Sequence, residues 1–262
     1  MISISAVVAF CCVAIGLNPS IVSAKKPNFV FILSDDHGAG AVGWRNPQIK
    51  SPNLDNLANT GVKLEEFYTY QFCSPTRYVK LNMQILIDVI RAAFLTGRYP
   101  WKANGIRGNL EPLATTIEGT DLGFTFLPER LKTEGYATHH VGKWHQGFAD
   151  YRYTPTARGF DSTLGFFGGQ EGPLDQKQIA ANVGACGNGP DNQPIPIYDI
   201  WEDGKAARQK AGQSADVLWS TRAIEKITDH AKANAINPGS DNPLFLYVAF
   251  NTPRKFKFNI IY

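Results

Sequence analysis

Asp35 and Asp36 form an adjacent pair of carboxylates that follows a short apolar run at residues 28–33. The run is typical of a strand that is covered on both faces, as in a parallel sheet. Ligand sites in open α/β sheets gather at the carboxyl ends of strands. Because two neighbouring carboxylates repel each other and are costly to bury, a hard cation is a natural partner. The pair therefore indicates a metal site, and a solvated turn after the strand is the alternative interpretation.

Two further segments carry residues that could do chemistry. Cys73-Ser74-Pro75-Thr76-Arg77 places a thiol four residues before an arginine, and a buried structural cysteine would fit this segment equally well. Lys143 and His145 stand on either side of Trp144, so an extended backbone would point both side chains to one side. A pair of surface residues is the alternative for this lysine and histidine, and only the rest of the chain can decide between the two.

The segment from Cys73 to Arg77, followed by Thr96-Gly97-Arg98, resembles the signature of the sulfatase family. Four further segments resemble family elements and occur in the family's order, at residues 27–38, 135–145, 155–165 and 243–253. The resemblance therefore covers most of residues 27–253. Among the subgroups, the arylsulfatase B-like one (N-acetylgalactosamine 4-sulfatase-like) fits best.

The resemblance implies a sulfuric ester hydrolase that cleaves sulfate esters, most naturally those of sulfated sugars or of sulfated small molecules. Cys73 would be oxidised to formylglycine by the formylglycine-generating enzyme, and the aldehyde hydrate would attack sulfur. Calcium would be held by Asp35, Asp36 and the modified side chain of Cys73. The residues that the family pattern assigns to binding and polarising the sulfate are Arg77, Lys143 and His145. Fixed positive groups of this kind stabilise the charge that develops in such a reaction.

The sequence departs from the family pattern directly after Arg77. The family continues almost at once into a segment like residues 92–98, whereas here residues 78–91 intervene. Removing them leaves Cys-Ser-Pro-Thr-Arg-Ala-Ala-Phe-Leu-Thr-Gly-Arg, a clean family motif. We interpret residues 78–91 as an insertion and hypothesise an unspliced intron or a gene-model error, which a spliced transcript encoding them would disprove. The insertion also threatens recognition of Cys73 by the modifying enzyme.

A second departure lies at the end of the given sequence. After Asn251-Thr252-Pro253 the family commonly places a catalytic histidine, where this sequence has Arg254. The family's later Asp-Asn metal pair and second sulfate-binding lysine are not among these residues. Calcium would then find only some of its roughly six to eight oxygen ligands here. We therefore expect a C-terminally truncated catalytic domain, and a catalytically inactive secreted fragment or pseudoenzyme is the alternative function.

Predicted strands alternate with predicted helices along the chain, which indicates an α/β fold. Besides the first strand, strands are predicted at 62–70, 136–141 and 244–250, and helices at 52–60, 127–134 and 215–233. Residues 168–203 are rich in Gly, Pro, Asn and Gln, so they predict long surface loops. The resemblance specifies the architecture as an alkaline-phosphatase-like mixed sheet flanked by helices, within an incomplete N-terminal catalytic domain at residues 25–262.

Residues 1–24 predict a signal peptide, because an apolar stretch is followed by the small residues Val22-Ser23-Ala24. A transmembrane anchor is the alternative, although the stretch is short and broken by Asn18-Pro19. We therefore expect entry into the secretory pathway, a lysosomal or extracellular destination, and no stable membrane anchor. The net charge of +3 is spread along the chain, which argues against a nucleic-acid partner.

Overall fold

The computed structural model describes residues 25–35, 37–66, 89–98, 119–169, 171–177, 198–237 and 242–252. These residues form a six-stranded sheet with the order β1-β6-β2-β3-β4-β5. The strands are β1 (Phe29–Leu33), β2 (Ala137–Lys143), β3 (Ser162–Phe166), β4 (Trp201–Glu202), β5 (Lys205–Ala206) and β6 (Leu244–Ala249). The first four strands of this order are parallel and the last two pair antiparallel, so the sheet is mixed.

Four α-helices accompany the sheet within the described residues. They are α1 (Pro52–Thr60), α2 (Val89–Thr96), α3 (Leu127–Thr133) and α4 (Ala215–Ile236). The predicted helices at 52–60, 127–134 and 215–233 are thus confirmed to within a few residues at their ends, and the α/β prediction is confirmed as well. None of the helices in this part of the chain has both the length and the apolar character that crossing a membrane would require.

Strand β6 is the centre of the core because it pairs with β1 on one side and β2 on the other. All six of its residues are buried. Leu246 and Val248 face one core cluster together with Trp219 of α4. Phe245 and Tyr247 face the opposite cluster, which α2 and α3 cover. The continuous apolar run in this strand therefore reflects burial on both faces of the sheet.

Strand β1 is covered on one face only, so the prediction of a strand covered on both faces is wrong. Phe31 and Leu33 pack against the cluster under α2 and α3, whereas Val30 is 46% and Ile32 62% exposed. The physical reason is the position of β1 at the edge of the described sheet, where α4 covers the neighbouring strands instead. An apolar run by itself does not distinguish an edge strand from a central one.

Two other predictions need correction or lie outside the described residues. Residues 62–66 form no strand, and Val62 and Leu64 are exposed, so the predicted strand at 62–70 is wrong over this part. The remainder of that strand lies outside the described residues. So do the signal peptide at 1–24, most of the predicted insertion and the end of the chain. The sites predicted at Asp36, Cys73 and Arg77 also lie there.

His140 of β2 is a buried structural residue, and from its burial we predict how the free energy of unfolding responds to acid. Its ring is fully buried, with Nδ1 2.7 Å from Thr163 Oγ1, and burial lowers its pKa from 6.5 to about 3. The unfolded chain therefore takes up a proton between these pH values that the folded chain refuses. Stability should be complete above pH 6.5 and fall below it, at up to about 1.4 kcal/mol per pH unit.

Urea unfolding at pH 7 and pH 4.5 measures this effect. His140→Asn should lose stability at pH 7 but show a smaller further loss at pH 4.5 than the unsubstituted chain. His139, whose pKa burial lowers to about 4, supplies part of the slope that remains. If His140→Asn lost as much stability between pH 7 and pH 4.5 as the unsubstituted chain does, His140 would not be the source of the acid sensitivity.

Candidate active site

The ends of three neighbouring strands bring Asp35 and Lys143 together. Asp35 follows β1, and its backbone N–H donates to the carbonyl of Thr252 just beyond β6, at 3.2 Å. Lys143 is the last residue of β2. Its Nζ donates to Asp35 Oδ2 at 3.0 Å, and both side chains are at least 98% buried. Two residues that lie far apart in the sequence therefore form one buried ion pair at the carboxyl edge of the sheet.

Arg91 of helix α2 is a third member of this cluster. Its Nη2 lies 3.6 Å from Asp35 Oδ1, and its side chain is 4% exposed. The sequence reasoning placed Arg91 in the insertion and gave it no role. The sequence does contain a signal for it: Arg91 directly precedes Ala92, as the arginine does in the uninterrupted family motif. We name Asp35, Lys143 and Arg91 the buried ion cluster.

His145 lies two residues beyond Lys143 and is held in an unusual backbone conformation. Its φ of 55° falls in the left-handed region, so the segment is not simply extended as predicted. Its backbone N–H donates to the carbonyl of Phe167 at 3.1 Å. A Cβ at Gly169 would overlap the ring at Nε2, so the absence of a side chain at 169 makes room for the buried imidazole. A constrained backbone of this kind is common at functional sites.

Gly142 sets the direction of the chain as it enters the site. Its φ is 95°, which favours glycine, and it pairs in register with Ala249 of β6 and Gly165 of β3. A Cβ at Gly142 would overlap the backbone carbonyl of Ala249, and a Cβ at Gly165 would overlap that of Gly142. Small residues in three adjacent strands therefore let the backbones approach just before Lys143.

The loop after β3 is fixed by a buried carboxylate. Asp199 accepts hydrogen bonds from the backbone N–H groups of Phe167 and Gly168 at 3.0 and 2.7 Å, and from Trp201 Nε1 at 2.7 Å. Burial, and then the charges of Asp199 and Asp175, raise the pKa of the buried Glu171 carboxyl to about 10. Glu171 is therefore protonated at neutral pH.

The prediction that residues 168–203 are surface loops is wrong at both ends of that range. Gly168, Gly169, Glu171 and Asp199 are buried, and β4 begins at Trp201. A composition rich in Gly and Pro indicates irregular backbone, but irregular backbone can be buried where carboxylates satisfy its amides. The sequence reasoning missed Asp199 and Glu171 for this reason. Residues 178–197 lie outside the described residues.

The structure therefore brings together only part of the predicted site. Asp35 and Lys143 are in contact, and His145 lies two residues beyond the end of β2. Arg91 also faces Asp35, although the sequence analysis did not predict it as a site residue. Asp36, Cys73 and Arg77 are outside the described residues, so their roles stay predictions. Within the residues that the structure describes, no group of three or more His, Cys, Asp or Glu side chains is placed to hold a metal ion.

Comparisons with known proteins agree on one family. The family model described as Sulfatase matches residues 88–255. Arylsulfatase J of Mus musculus is 33% identical over 229 residues, which are 86% of this chain and 32% of that protein. N-acetylgalactosamine-6-sulfatase of Mus musculus is 30% identical over 242 residues, covering 87% of this chain and 40% of that protein. The chain thus spans well under half the length of these relatives.

Among solved structures, Ps i-CgsB in complex with k-i-k-neocarrahexaose superimposes with a TM-score of 0.63. The identity is 25%, and the match covers 88% of this chain and 46% of that one. The shared fold supports the mixed sheet with flanking helices described above. The narrower arylsulfatase B-like assignment stays a prediction.

Proposed function

The chain belongs to the sulfatase family, and from that premise we propose that it is a sulfuric ester hydrolase of sulfated glycans. The observation that carries the proposal is the buried ion cluster, with Lys143 and Arg91 on the two oxygens of Asp35. The cluster lies at the carboxyl edge of the sheet, where ligands bind in α/β folds. His145 adds a buried imidazole just beyond the end of β2.

Two buried cations suit the handling of a sulfate ester. Hydrolysis develops negative charge on the leaving oxygen while the sulfuryl oxygens must be held in place. Lys143 and Arg91 are fixed by their contacts with Asp35, so their charges are positioned before a substrate arrives. Preorganised positive groups in a site that excludes water are the usual main source of rate acceleration. Lys143 is proposed to bind the sulfate, and Arg91 is a candidate beside it.

His145 is proposed to move the proton. A neutral imidazole can accept a proton from a hydroxyl, and its conjugate acid can return one to a leaving oxygen. The backbone bond to Phe167 and the contact with Gly169 hold the ring in one place. A fixed ring lowers the entropic cost of reaching the geometry for proton transfer.

The nucleophile and the metal are the finer parts of the proposal. Cys73, as formylglycine, would supply an aldehyde hydrate whose oxygen attacks sulfur. Calcium would be held by Asp35, Asp36 and the modified Cys73 side chain, and would add positive charge near the sulfate oxygens. Asp35 fits this part by its chemistry, because it is a buried carboxylate and calcium takes carboxylate oxygens as ligands. Lys143 and Arg91 already face its two oxygens, so calcium would share this carboxylate with them.

The substrate class and the cellular location rest on different observations. A sulfated glycan is the proposed substrate because one relative is an N-acetylgalactosamine-6-sulfatase. One similar solved structure, Ps i-CgsB, is a complex with k-i-k-neocarrahexaose. The apolar stretch and small residues at 1–24 support a signal peptide and the secretory pathway, with a lysosomal or extracellular destination. This route would also bring Cys73 to its modifying enzyme in the endoplasmic reticulum.

A sulfate-release assay on the purified chain tests the proposal against the alternative of a catalytically inactive fragment. The substrates would be an aryl sulfate and a sulfated oligosaccharide, each assayed with and without calcium. We expect turnover that Cys73→Ala removes. Release no faster than in Cys73→Ala would favour the inactive fragment.

A further inference from the structure

We propose that Glu171 is a positioning residue for His145, and that it acts as a neutral carboxylic acid buried in the loop that contacts the imidazole. We name residues 167–169 and 171–177 the His145 loop. The role of His145 rests on the proposed function, whereas the behaviour of the loop can be measured without a substrate. Raising the pH should loosen the His145 loop and release the histidine.

The His145 loop touches His145 at two points. The backbone N–H of His145 donates to the carbonyl of Phe167 at 3.1 Å. Gly169 lies so close to the ring that a Cβ there would overlap Nε2. His145 is buried and has a positive φ, so its backbone and its ring both depend on their neighbours to stay in place. A displacement of this loop would therefore move the imidazole.

Asp199 anchors the His145 loop at both ends. Its carboxylate accepts from the backbone N–H groups of Phe167 and Gly168, at 3.0 and 2.7 Å. Its own backbone N–H donates to the carbonyl of Gln176 at 3.1 Å, and the side chain of Gln176 is fully buried. Glu171 lies between these two anchors, so a change at Glu171 acts on a segment that is fixed on either side.

Glu171 is the group in this loop that ionisation would disturb. Its side chain is buried, and neither carboxyl oxygen has a hydrogen-bond partner among the described residues. Burial disfavours an ionised carboxylate that no donor stabilises. Negative charge comes from Asp199, on the segment before β4, and from Asp175 in the same loop, whereas Lys177 lies 3.8 Å from Asp175. Burial and then the two acidic charges raise the pKa of Glu171 to about 10.

The sign of the pH effect follows from the proton that the closed loop retains. When the loop opens, Glu171 becomes solvated and its pKa returns to 4.5. The closed loop therefore binds one proton more than the open loop between pH 4.5 and about 10, and it is most stable below pH 4.5. Opening becomes easier as the pH rises, by up to about tenfold per pH unit. The buried histidines of β2 act in the opposite sense only below pH 6.5, so the tests use pH 7 to 9.

Hydrogen exchange of the backbone amides of His145, Phe167 and Gly168 measures the opening directly. After correction for the intrinsic exchange rate, their protection in the unsubstituted chain should fall from pH 7 to pH 9, by up to about tenfold per pH unit. Glu171→Gln keeps the shape of the side chain but cannot ionise, so its protection should stay constant. Glu134→Gln, at a side chain that is 48% exposed, is the control and should behave as the unsubstituted chain. A fall in Glu171→Gln as steep as in the unsubstituted chain, or no fall in the unsubstituted chain, would overturn the proposal.

A second measurement uses the unsubstituted chain and so does not require the variant to fold. The side-chain carboxyl of glutamate is labelled with carbon-13, and the Glu171 signal is assigned through its backbone. At pH 7 this signal should have the chemical shift of a neutral carboxylic acid, whereas exposed glutamates such as Glu134 have ionised. An ionised Glu171 at pH 7 would overturn the proposal.

The pH profile of sulfate release separates this proposal from the proposed function. From pH 7 to pH 9 the rate in the unsubstituted chain should fall more steeply than the rate in Glu171→Gln. An equally steep fall in both chains would show that Glu171 does not act through His145, and the proposal would fail. If the loop opens with pH as predicted but neither chain releases sulfate, the proposed function fails and the positioning of His145 by Glu171 stands.

Discussion

Replacing Lys143 by methionine is expected to destabilise the chain by about 3–5 kcal/mol and to remove any sulfatase activity. Methionine keeps most of the apolar stem but deletes the ammonium, so Asp35 keeps its charge in a site that excludes water. The loss of this buried partner is costly because Asp35 loses the 3.0 Å hydrogen bond from Lys143 and keeps the longer contact with Arg91 at 3.6 Å. Activity should fall by at least about a hundredfold, since a positive group that is fixed against the sulfate would be gone.

Two comparisons make the Lys143→Met result interpretable. Lys177→Met removes a lysine that is 40% exposed and lies 3.8 Å from Asp175, so it should change stability by less than about 1 kcal/mol. Adding Asp35→Asn to Lys143→Met should not restore the stability, because Arg91 then loses the buried carboxylate that it faces, and it should not restore activity. Equal urea midpoints for Lys143→Met and Lys177→Met would mean that the ion cluster does not hold the strand ends.

The second large effect is expected at Gly142, where alanine should destabilise the chain by at least about 2 kcal/mol more than alanine at Gly135. Both glycines have a positive φ, 95° and 83°, so both substitutions incur the steric cost of the left-handed region, roughly 1–2 kcal/mol. Only at Gly142 does the new Cβ overlap another backbone, the carbonyl of Ala249, because Gly135 has open space around it. Strands β2 and β6 would have to separate next to Lys143.

Urea unfolding of the two alanine variants measures the difference, and binding of inorganic sulfate reports whether the site moves. Gly142→Ala should weaken sulfate binding, whereas Gly135→Ala should leave it unchanged. Similar stability losses in the two variants would show that backbone conformation alone explains the glycine at 142. The close approach of the strands would then have no measurable consequence.

The layout of the fold could be predicted from the sequence because its signals are local. The apolar run of β6 and the helical spacing in α4 are both confirmed. The edge position of β1 could not be predicted, since strand order depends on contacts between distant segments. The burial of Asp199 was missed for a related reason. Its partners are backbone amides at Phe167 and Gly168, and a composition pattern does not reveal them.

The candidate site shows the same division. Asp35 was singled out as a carboxylate at a strand end and Lys143 by its resemblance to a family motif, and in the structure the two side chains are in contact. Neither spacing nor periodicity could have shown that contact, because the two residues join only through the parallel pairing of β1, β6 and β2. Arg91 was missed because residues 78–91 were interpreted as an insertion, and it is the packing of α2 that brings Arg91 to Asp35.

Mass spectrometry of the Cys73 peptide from the secreted chain tests the central claim most directly. The account predicts a mass about 18 Da below that of the unmodified thiol peptide, as the replacement of the thiol by an aldehyde requires. This result would show that the modifying enzyme accepts the interrupted motif and that the chain carries the nucleophile of a sulfatase. Cys186 is the only other cysteine outside residues 1–24 of the sequence. A free thiol at Cys73, or a disulfide between Cys73 and Cys186, would contradict this proposal, because neither form can attack a sulfate ester by the family mechanism.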